Sequence, residues 1–149
     1  DDILKIFAIE KNKPILGICL GMQLFASSST EIKKTNGLNL IEGNVISFKD
    51  RECSLRLPHV GWNEAKKLNN LNKEVFNDPL ENIDNDEYFY FVHSNFVKPS
   101  DNNYSYTLTQ YEGFEFCSSI LKDNIFACQF HPEKSGKQGI QILNNIFNN

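Results

Sequence analysis

The sequence predicts an α/β fold in which a mostly parallel sheet is flanked by helices and extended by a few antiparallel strands. An uninterrupted apolar run at Ile15–Ile18 is typical of a parallel strand buried on both faces. Aromatic and β-branched runs dominate from residue 88 onward, and Gly136–Phe147 has the apolar spacing of an amphipathic helix. The chain has 149 residues, 40% of them apolar and twelve of them Phe, which suits one core and a single domain over 1–149.

The elements follow in order along the chain. Residues 1–9 place apolar side chains on one helical face after two acidic residues, which suit a helix N-terminus. After the buried strand, a short helix is expected over 22–26 and a strand over 44–48. Asn- and Asp-rich residues 69–86 indicate a loop. Strands are then predicted at 88–92, 104–111, 114–121 and 125–130, with turns at Glu112-Gly113 and Asp123-Asn124, before a last helix whose apolar face carries Ile140, Ile142, Leu143 and Ile146.

Composition argues against several classes of protein. The net charge is −4 and no basic cluster occurs, whereas a nucleic-acid surface needs aligned basic residues. The longest apolar stretches fall far short of the roughly 20 residues of a membrane helix, and no signal peptide is visible. The four cysteines are widely spaced, so we expect neither a metal site nor a disulfide scaffold, and we expect a reducing cytoplasm as the setting. We also expect no cofactor.

Cys19 lies on a Gly-x-Cys-x-Gly turn directly after the buried strand. This turn resembles the nucleophile elbow of α/β hydrolases with cysteine in place of serine, where flanking glycines permit a sharp strand-to-helix turn. A helix N-terminus and an imidazolium would each favour the thiolate. The amide of Leu20, next after the nucleophile, is the natural first donor to an oxyanion.

His131 and Glu133 supply the base and the carboxylate that such a thiol needs. The imidazole would take the thiol proton and give one to the leaving nitrogen, while the carboxylate would orient the ring. Because Cys19 and His131 each follow a predicted strand, both are expected at the same edge of the sheet. The pattern indicates a cysteine-dependent enzyme that cleaves an amide.

Less specific interpretations exist for each of these residues. A lone cysteine after an apolar strand is usually a small buried hydrophobe, and a lone His-Pro-Glu is usually a turn. Their joint occurrence at two strand ends favours catalysis. His59 and His93 are more often structural or interfacial than catalytic, and Trp62, in a predicted loop beside Gly61, suits either a core or a functional surface.

Four segments together resemble the class I glutamine amidotransferases, and among them the glutaminase subunits of histidine biosynthesis. They are Ile15-Leu-Gly-Ile-Cys-Leu-Gly-Met-Gln23, Leu57-Pro-His-Val-Gly-Trp-Asn63, Tyr90-Phe-Val-His-Ser94 and Gln129-Phe-His-Pro-Glu-Lys-Ser135. The resemblance implies a flavodoxin-like fold and glutamine hydrolysis at Cys19, His131 and Glu133. It also implies a heterodimer with a (β/α)₈-barrel cyclase subunit, which receives the ammonia and on which activity depends.

The resemblance extends to further residues. By it, Gln23 and Glu31 grip the amino-acid end of the substrate, with the carboxylate of Glu31 pairing the α-ammonium. Ser94 and Asn95 match the loop that binds the α-carboxylate, although the family usually has an aromatic residue at the position of Asn95. Positions facing the cyclase are His59, Trp62, Asn63, Tyr90 and Lys134.

The first residue is Asp, and the family's opening βα unit and glycine-containing oxyanion strand precede anything seen here. We therefore expect 1–149 to be a partial amidotransferase domain. Two alternatives stay open: an amidotransferase serving another synthase, such as one for anthranilate, pyridoxal phosphate or guanylate, and a non-catalytic regulatory module that keeps the fold.

Overall fold

A computed structural model describes residues 2–10, 13–50, 55–68 and 78–148. The helices are α1 (Asp2–Lys5), continued by a π-helical turn (Ile6–Glu10), α2 (Leu20–Phe25) and α3 (Gly136–Phe147). The strands are β1 (Ile15–Ile18), β2 (Ser28–Ser29), β3 (Thr35–Asn36), β4 (Gly43–Ser47), β5 (His59–Glu64), β6 (Lys66–Lys67), β7 (Tyr88–His93), β8 (Asn95–Pro99), β9 (Ser105–Tyr111), β10 (Phe114–Lys122) and β11 (Ile125–Cys128).

The main sheet has the strand order β1-β11-β10-β9-β6. Strands β1 and β11 are parallel, with Ile18 opposite Cys128 at their carboxyl ends. The other pairings of this sheet are antiparallel, and tight turns join β9 to β10 and β10 to β11. Both turns are the predicted ones, and Glu112, Gly113 and Asp123 have the positive φ that such turns require.

Two smaller assemblies lie beside the main sheet. One has the order β3-β2-β4-β8 and contains one parallel pairing, between β2 and β4. The other is an antiparallel ribbon of β5 and β7. The α/β class is confirmed, but among the described strands the sheets are mixed, with antiparallel pairs outnumbering parallel ones. The β9–β10 and β10–β11 pairs are hairpins with two turn residues each, whereas the antiparallel pairs β4–β8, β5–β7 and β6–β9 join strands distant in sequence.

Several predicted elements differ from those observed. The helix expected over the first nine residues is α-helical only over Asp2–Lys5, and Asp1 lies outside the described residues. Trp62 lies in β5 and not in a loop. Helix α3 has its predicted bounds, but Ile140 is exposed because Gly139, Ile142 and Ile146 face inward. Cys53 and residues 69–77 of the predicted 69–86 loop lie outside the described ranges, and residues 78–86 contain turns but no helix or strand.

Aromatic packing forms the centre of the protein. Phe48, Phe91, Phe96, Phe116 and Phe130 are buried in one cluster, with ring centroids of neighbouring pairs 4.9 to 6.1 Å apart. Each such side chain contributes about 1.5–3 kcal/mol by burial. Since Phe91 lies on the inner face of β7, this core holds the β5–β7 ribbon against the main sheet.

Helix α3 packs closely against the turn that follows β11. A Cβ on Gly139 would lie 1.8 Å from the carbonyl oxygen of Pro132, so only glycine permits this approach. The contact fixes the position of His131, which precedes Pro132. None of the described helices is long and apolar enough to cross a membrane.

Candidate active site at the β1–α2 elbow

Cys19 occupies a strained turn between β1 and α2. Its φ of 49° and ψ of −100° are rare for a residue with a side chain, and such a conformation costs about 1–3 kcal/mol. Its N–H donates to the carbonyl oxygen of Cys128 at 2.7 Å, which continues the β1–β11 pairing up to the turn. A Cβ on Gly17 would lie 2.6 Å from the Phe25 ring, whereas one on Gly21 would meet no atom within 4 Å. Of the two glycines, the described contacts therefore require only Gly17.

The Cys19 sulfur has three polar neighbours among the described residues, namely the Val92 carbonyl, the Gln129 amide and the Leu20 N–H. Its thiol donates to the Val92 carbonyl oxygen at 3.8 Å, and the Gln129 side-chain amide donates to the sulfur at 3.4 Å. Burial raises the pKa of the Cys19 thiol, and hydrogen bonds from the Leu20 N–H and from Gln129 oppose this shift only in part. The described surroundings therefore do not produce the expected bias toward thiolate, because desolvation outweighs these hydrogen bonds.

His131 and Glu133 form an ion-pair geometry beside this elbow. The Nδ1 atom of His131 lies 2.6 Å from a carboxylate oxygen of Glu133. A carboxylate only accepts, so Nδ1 carries the proton and the neutral ring keeps its lone pair on Nε2. That Nε2 atom is buried and has no hydrogen-bond partner among the described residues. It is an available acceptor for a proton.

Backbone contacts hold the His131 loop against the ribbon. The His131 N–H donates to the Tyr90 carbonyl oxygen at 2.8 Å, and the Ser135 hydroxyl donates to the His131 carbonyl at 2.6 Å. Cys19 follows Ile18 and His131 follows shortly after Cys128, and these two strand ends are paired. Their predicted meeting at one sheet edge is confirmed. No hydrogen bond joins Cys19 and His131 within the described part of the chain.

A cavity of about 230 Å³ opens next to the elbow. Its walls include three residues that the sequence associates with oxyanion or substrate binding, namely Leu20, Gln23 and Glu31. Leu20 and Glu31 are exposed, which leaves both accessible to a ligand. Ser94 and Asn95 lie instead at the β7–β8 junction, where Asn95 is buried and its carbonyl oxygen accepts a hydrogen bond from the Gln23 amide at 3.3 Å.

The residues expected to face a partner divide between the two faces of the β5–β7 ribbon. Trp62 is 56% exposed on the outer face, with its ring 6.2 Å from that of Tyr90. The Lys134 ammonium lies 5.8 Å from the centre of the Tyr90 ring. His59, in contrast, is buried on the inner face, so the expectation that it contacts a partner directly is corrected. The half-buried Asn63 also faces inward and bonds to His59.

A buried pair of histidines escaped the sequence analysis as a unit. His59 and His93 lie opposite each other in β5 and β7, with Nδ1 of the first 2.9 Å from Nε2 of the second. Burial lowers the pKa of His59 to about 4 and that of His93 to about 3. Strand alternation places both residues on the inner face, a signal that pairing the two strands from the sequence would have revealed.

No cluster of three or more potential metal ligands occurs within the described ranges. The three cysteines that these ranges contain, Cys19, Cys117 and Cys128, are all free thiols. Burial raises the pKa of Cys117 to about 12 and that of Cys128 well above its ordinary value, so neither is a nucleophile.

The site has a cysteine at a strand-to-helix elbow and a His–Glu pair at the adjacent strand end. This arrangement is typical of enzymes that carry a cysteine nucleophile on a nucleophile elbow. The model of the family "Glutamine amidotransferase class-I" matches residues 3–149. The chain is 46% identical over 138 residues to the imidazole glycerol phosphate synthase subunit HisH of Caldanaerobacter subterraneus, covering 93% of this chain and 63% of that protein. It is 47% identical over 146 residues to subunit HisH 1 of Campylobacter jejuni, covering 97% and 68%.

The solved structure of a glutamine amidotransferase from Thermotoga maritima matches 99% of this chain and 51% of its own chain. The TM-score is 0.57 and the sequence identity is 16%. At that identity the match supports the fold alone. The chain belongs to the class I glutamine amidotransferase family and, within it, to the group of HisH subunits. It spans less than two thirds of the length of the first of these relatives.

Proposed function

We propose that this chain is part of the glutaminase subunit of imidazole glycerol phosphate synthase and hydrolyses glutamine to glutamate and ammonia. The observation that carries the proposal is Cys19 at a strained elbow beside the strand end that leads to His131 and Glu133. The names of the relatives favour this synthase over those for anthranilate, pyridoxal phosphate or guanylate. Free thiols suit a reducing compartment, and we place the enzyme in the cytoplasm.

The first step is attack on the side-chain amide of glutamine. His131 Nε2 takes the thiol proton as the Cys19 sulfur forms a bond to the amide carbon, and the carbonyl electron pair moves to oxygen. Glu133 stabilises the resulting imidazolium through Nδ1–H. The exposed N-terminal end of α2 presents the Leu20 N–H to the oxyanion, and one such donor is typically worth about 3 kcal/mol.

The second step releases ammonia. The carbon–nitrogen bond breaks as the His131 imidazolium gives its proton to the departing nitrogen, which leaves a glutamyl thioester on Cys19. In the third step His131 takes a proton from water, the hydroxide oxygen attacks the thioester, and the carbon–sulfur bond breaks to give glutamate. The proton returns to the sulfur, so the thiol is restored.

The cavity beside the elbow supports an amino-acid substrate. We assign the Glu31 carboxylate to the α-ammonium group, because it lines the same cavity as Leu20 and is open to solvent. We assign Ser94 to the α-carboxylate. Asn95 is only 6% exposed, so it contributes to this loop through its backbone rather than as a side-chain ligand.

The outer face of the β5–β7 ribbon supports a protein partner. Val60, Trp62, Tyr88 and Val92 are between 36% and 56% exposed and form one apolar strip. We propose that a (β/α)₈-barrel cyclase docks on this strip as the second subunit of a heterodimer, with Tyr90 and Lys134 at its edge. Ammonia then reaches the cyclase without entering bulk water.

The proposal is tested by measuring glutamate release from glutamine by the full-length protein, with and without the cyclase subunit and its nucleotide. We expect strong stimulation by the occupied cyclase and no turnover for Cys19→Ala. Turnover that is indifferent to the cyclase would assign the chain to another synthase, and none under any condition would indicate a regulatory module.

A further inference from the structure

The side chain of Gln129 is engaged at both ends of its amide, yet the mechanism above gives it no role. Gln129 is fully buried just after β11. Its Nε2 donates to the Cys19 sulfur at 3.4 Å, and its Oε1 accepts from Gln23 Nε2 at 3.2 Å. A buried amide that contacts the reacting sulfur is positioned to act on its charge.

Its orientation is determined by a backbone carbonyl. The Gln23 amide lies 3.3 Å from the Asn95 carbonyl oxygen, which can only accept, so the nitrogen of Gln23 must face it. The same nitrogen faces Gln129, so Gln129 presents its oxygen to Gln23 and its nitrogen to the sulfur. A flipped Gln129 would bring two nitrogens together and turn an acceptor toward Cys19.

The Asn95 carbonyl is itself held from the other side. His93 Nδ1 lies 2.7 Å from it and must donate, so His93 Nε2 is an acceptor and takes the Nδ1–H of His59. His59 Nε2 then accepts from the Asn63 amide at 3.2 Å. The lowered pKa values of the two histidines keep both rings neutral at neutral pH, which preserves these donor and acceptor assignments.

The contacts of the sulfur with Val92 and with Gln129 respond in opposite ways to loss of its proton. The Val92 carbonyl accepts from the thiol but repels a thiolate, because it offers only lone pairs. The Gln129 N–H bonds to either form, and a hydrogen bond to an ionised acceptor is roughly twice as strong as one between neutral groups. The change in charge therefore strengthens the Gln129 contact.

We infer that Gln129 is a catalytic residue of the proposed site, whose amide N–H stabilises the Cys19 thiolate, and that Gln23 and the Asn95 carbonyl are the groups that position it. The inference rests on the proposed function for its effect on turnover. The effect on the thiol is independent of substrate, because an alkylating agent reacts with the thiolate whatever the enzyme hydrolyses.

The test is the pH dependence of iodoacetamide alkylation at Cys19 in the full-length protein, followed by the mass of the Cys19 peptide. Gln129→Met keeps the side-chain length and removes the donor. We expect its alkylation midpoint to rise by about one pH unit, which is about tenfold slower alkylation below the midpoint. In the complex, the kcat for glutamine should fall about tenfold with little change in KM. Gln141→Met removes a hydrogen bond on α3 and serves as the matched control, with an unchanged profile.

A lowered melting temperature with an unshifted alkylation midpoint would overturn the inference, because a purely structural glutamine affects folding and not the thiol. If Gln129→Met does not fold, Gln23→Met tests the same chain of contacts at a half-buried position. Its midpoint should also rise, and an unshifted midpoint there would overturn the inference. Shifted midpoints without any glutaminase activity would leave the role at the thiol intact and reject the proposed function.

Discussion

The Tyr90 carbonyl oxygen accepts the backbone N–H of His131 at 2.8 Å. Tyr90 also donates its own N–H to the Ser135 hydroxyl at 3.0 Å and stacks edge-on with Trp62. Strand β7 therefore bonds through its backbone to the loop that carries the imidazole and also contributes Tyr88 and Val92 to the exposed apolar strip. A partner bound to that strip would contact the strand whose backbone positions His131.

Trp62 should dominate binding of the proposed cyclase partner. It is the largest exposed side chain of the strip, and truncation of such a residue typically costs 2 kcal/mol or more, about thirtyfold in Kd. Titration calorimetry of full-length Trp62→Ala with the cyclase checks this. Ile140→Ala removes a similarly exposed apolar side chain from α3 and should leave Kd unchanged. Equal weakening by both variants would place the interface elsewhere.

Glu133→Gln should lower kcat about hundredfold with little change in KM, because general acid–base catalysis contributes on that scale and the carboxylate orients its imidazole. Steady-state glutamine hydrolysis in the complex gives both constants. Glu115→Gln, at an exposed carboxylate bonded to Gln110, is the matched control and should retain full activity. A fully active Glu133→Gln enzyme would remove this carboxylate from the mechanism.

The two glycines of the elbow should respond differently to alanine. Gly17→Ala places a methyl group 2.6 Å from the Phe25 ring and should destabilise by about 1–3 kcal/mol. Gly21→Ala meets no atom within 4 Å and lies in α2, so it should stabilise by up to about 1 kcal/mol. Urea unfolding of the two full-length variants compares them, and equal losses would contradict the packing described for Gly17.

The buried histidine pair should make stability depend on pH. Burial lowers the folded-state pKa of His59 to about 4 from an ordinary value of 6.5. Between those values the unfolded chain binds more protons, so this contribution to stability is complete above about pH 6.5 and is lost as the pH falls toward 4. His59→Phe keeps the ring stacking on Tyr111 and removes the titration. Its urea midpoint should fall less than that of the wild type between pH 7 and pH 4.5, and parallel curves would contradict this.

Local signals were sufficient for much of the fold. The apolar run at Ile15–Ile18, the turns at Glu112-Gly113 and Asp123-Asn124, and the bounds of α3 follow from side-chain type and spacing alone. Short strands such as β2 and β6 carry no such signal, because two-residue pairings depend on neighbours distant in sequence. The inward turn of Gly139 depends on contact with Pro132, which is equally non-local.

The candidate site divides in the same way. Cys19, His131 and Glu133 could be found from motif spacing, and the strand ends that carry them are paired. The raised pKa of the Cys19 thiol could not be predicted from the sequence, because desolvation depends on what packs around the sulfur. The contacts of Gln129 could not be predicted either, since its orientation is determined by Gln23 and Asn95 across the fold.

The most direct measurement is an acid quench of the full-length protein with its cyclase partner during turnover of isotopically labelled glutamine, followed by mass analysis of the Cys19 peptide. The account predicts a labelled glutamyl adduct on Cys19 that disappears with hydroxylamine, which cleaves thioesters, and that is absent from Cys19→Ala. Sustained glutamate release by Cys19→Ala, or a labelled adduct at another residue, would contradict it.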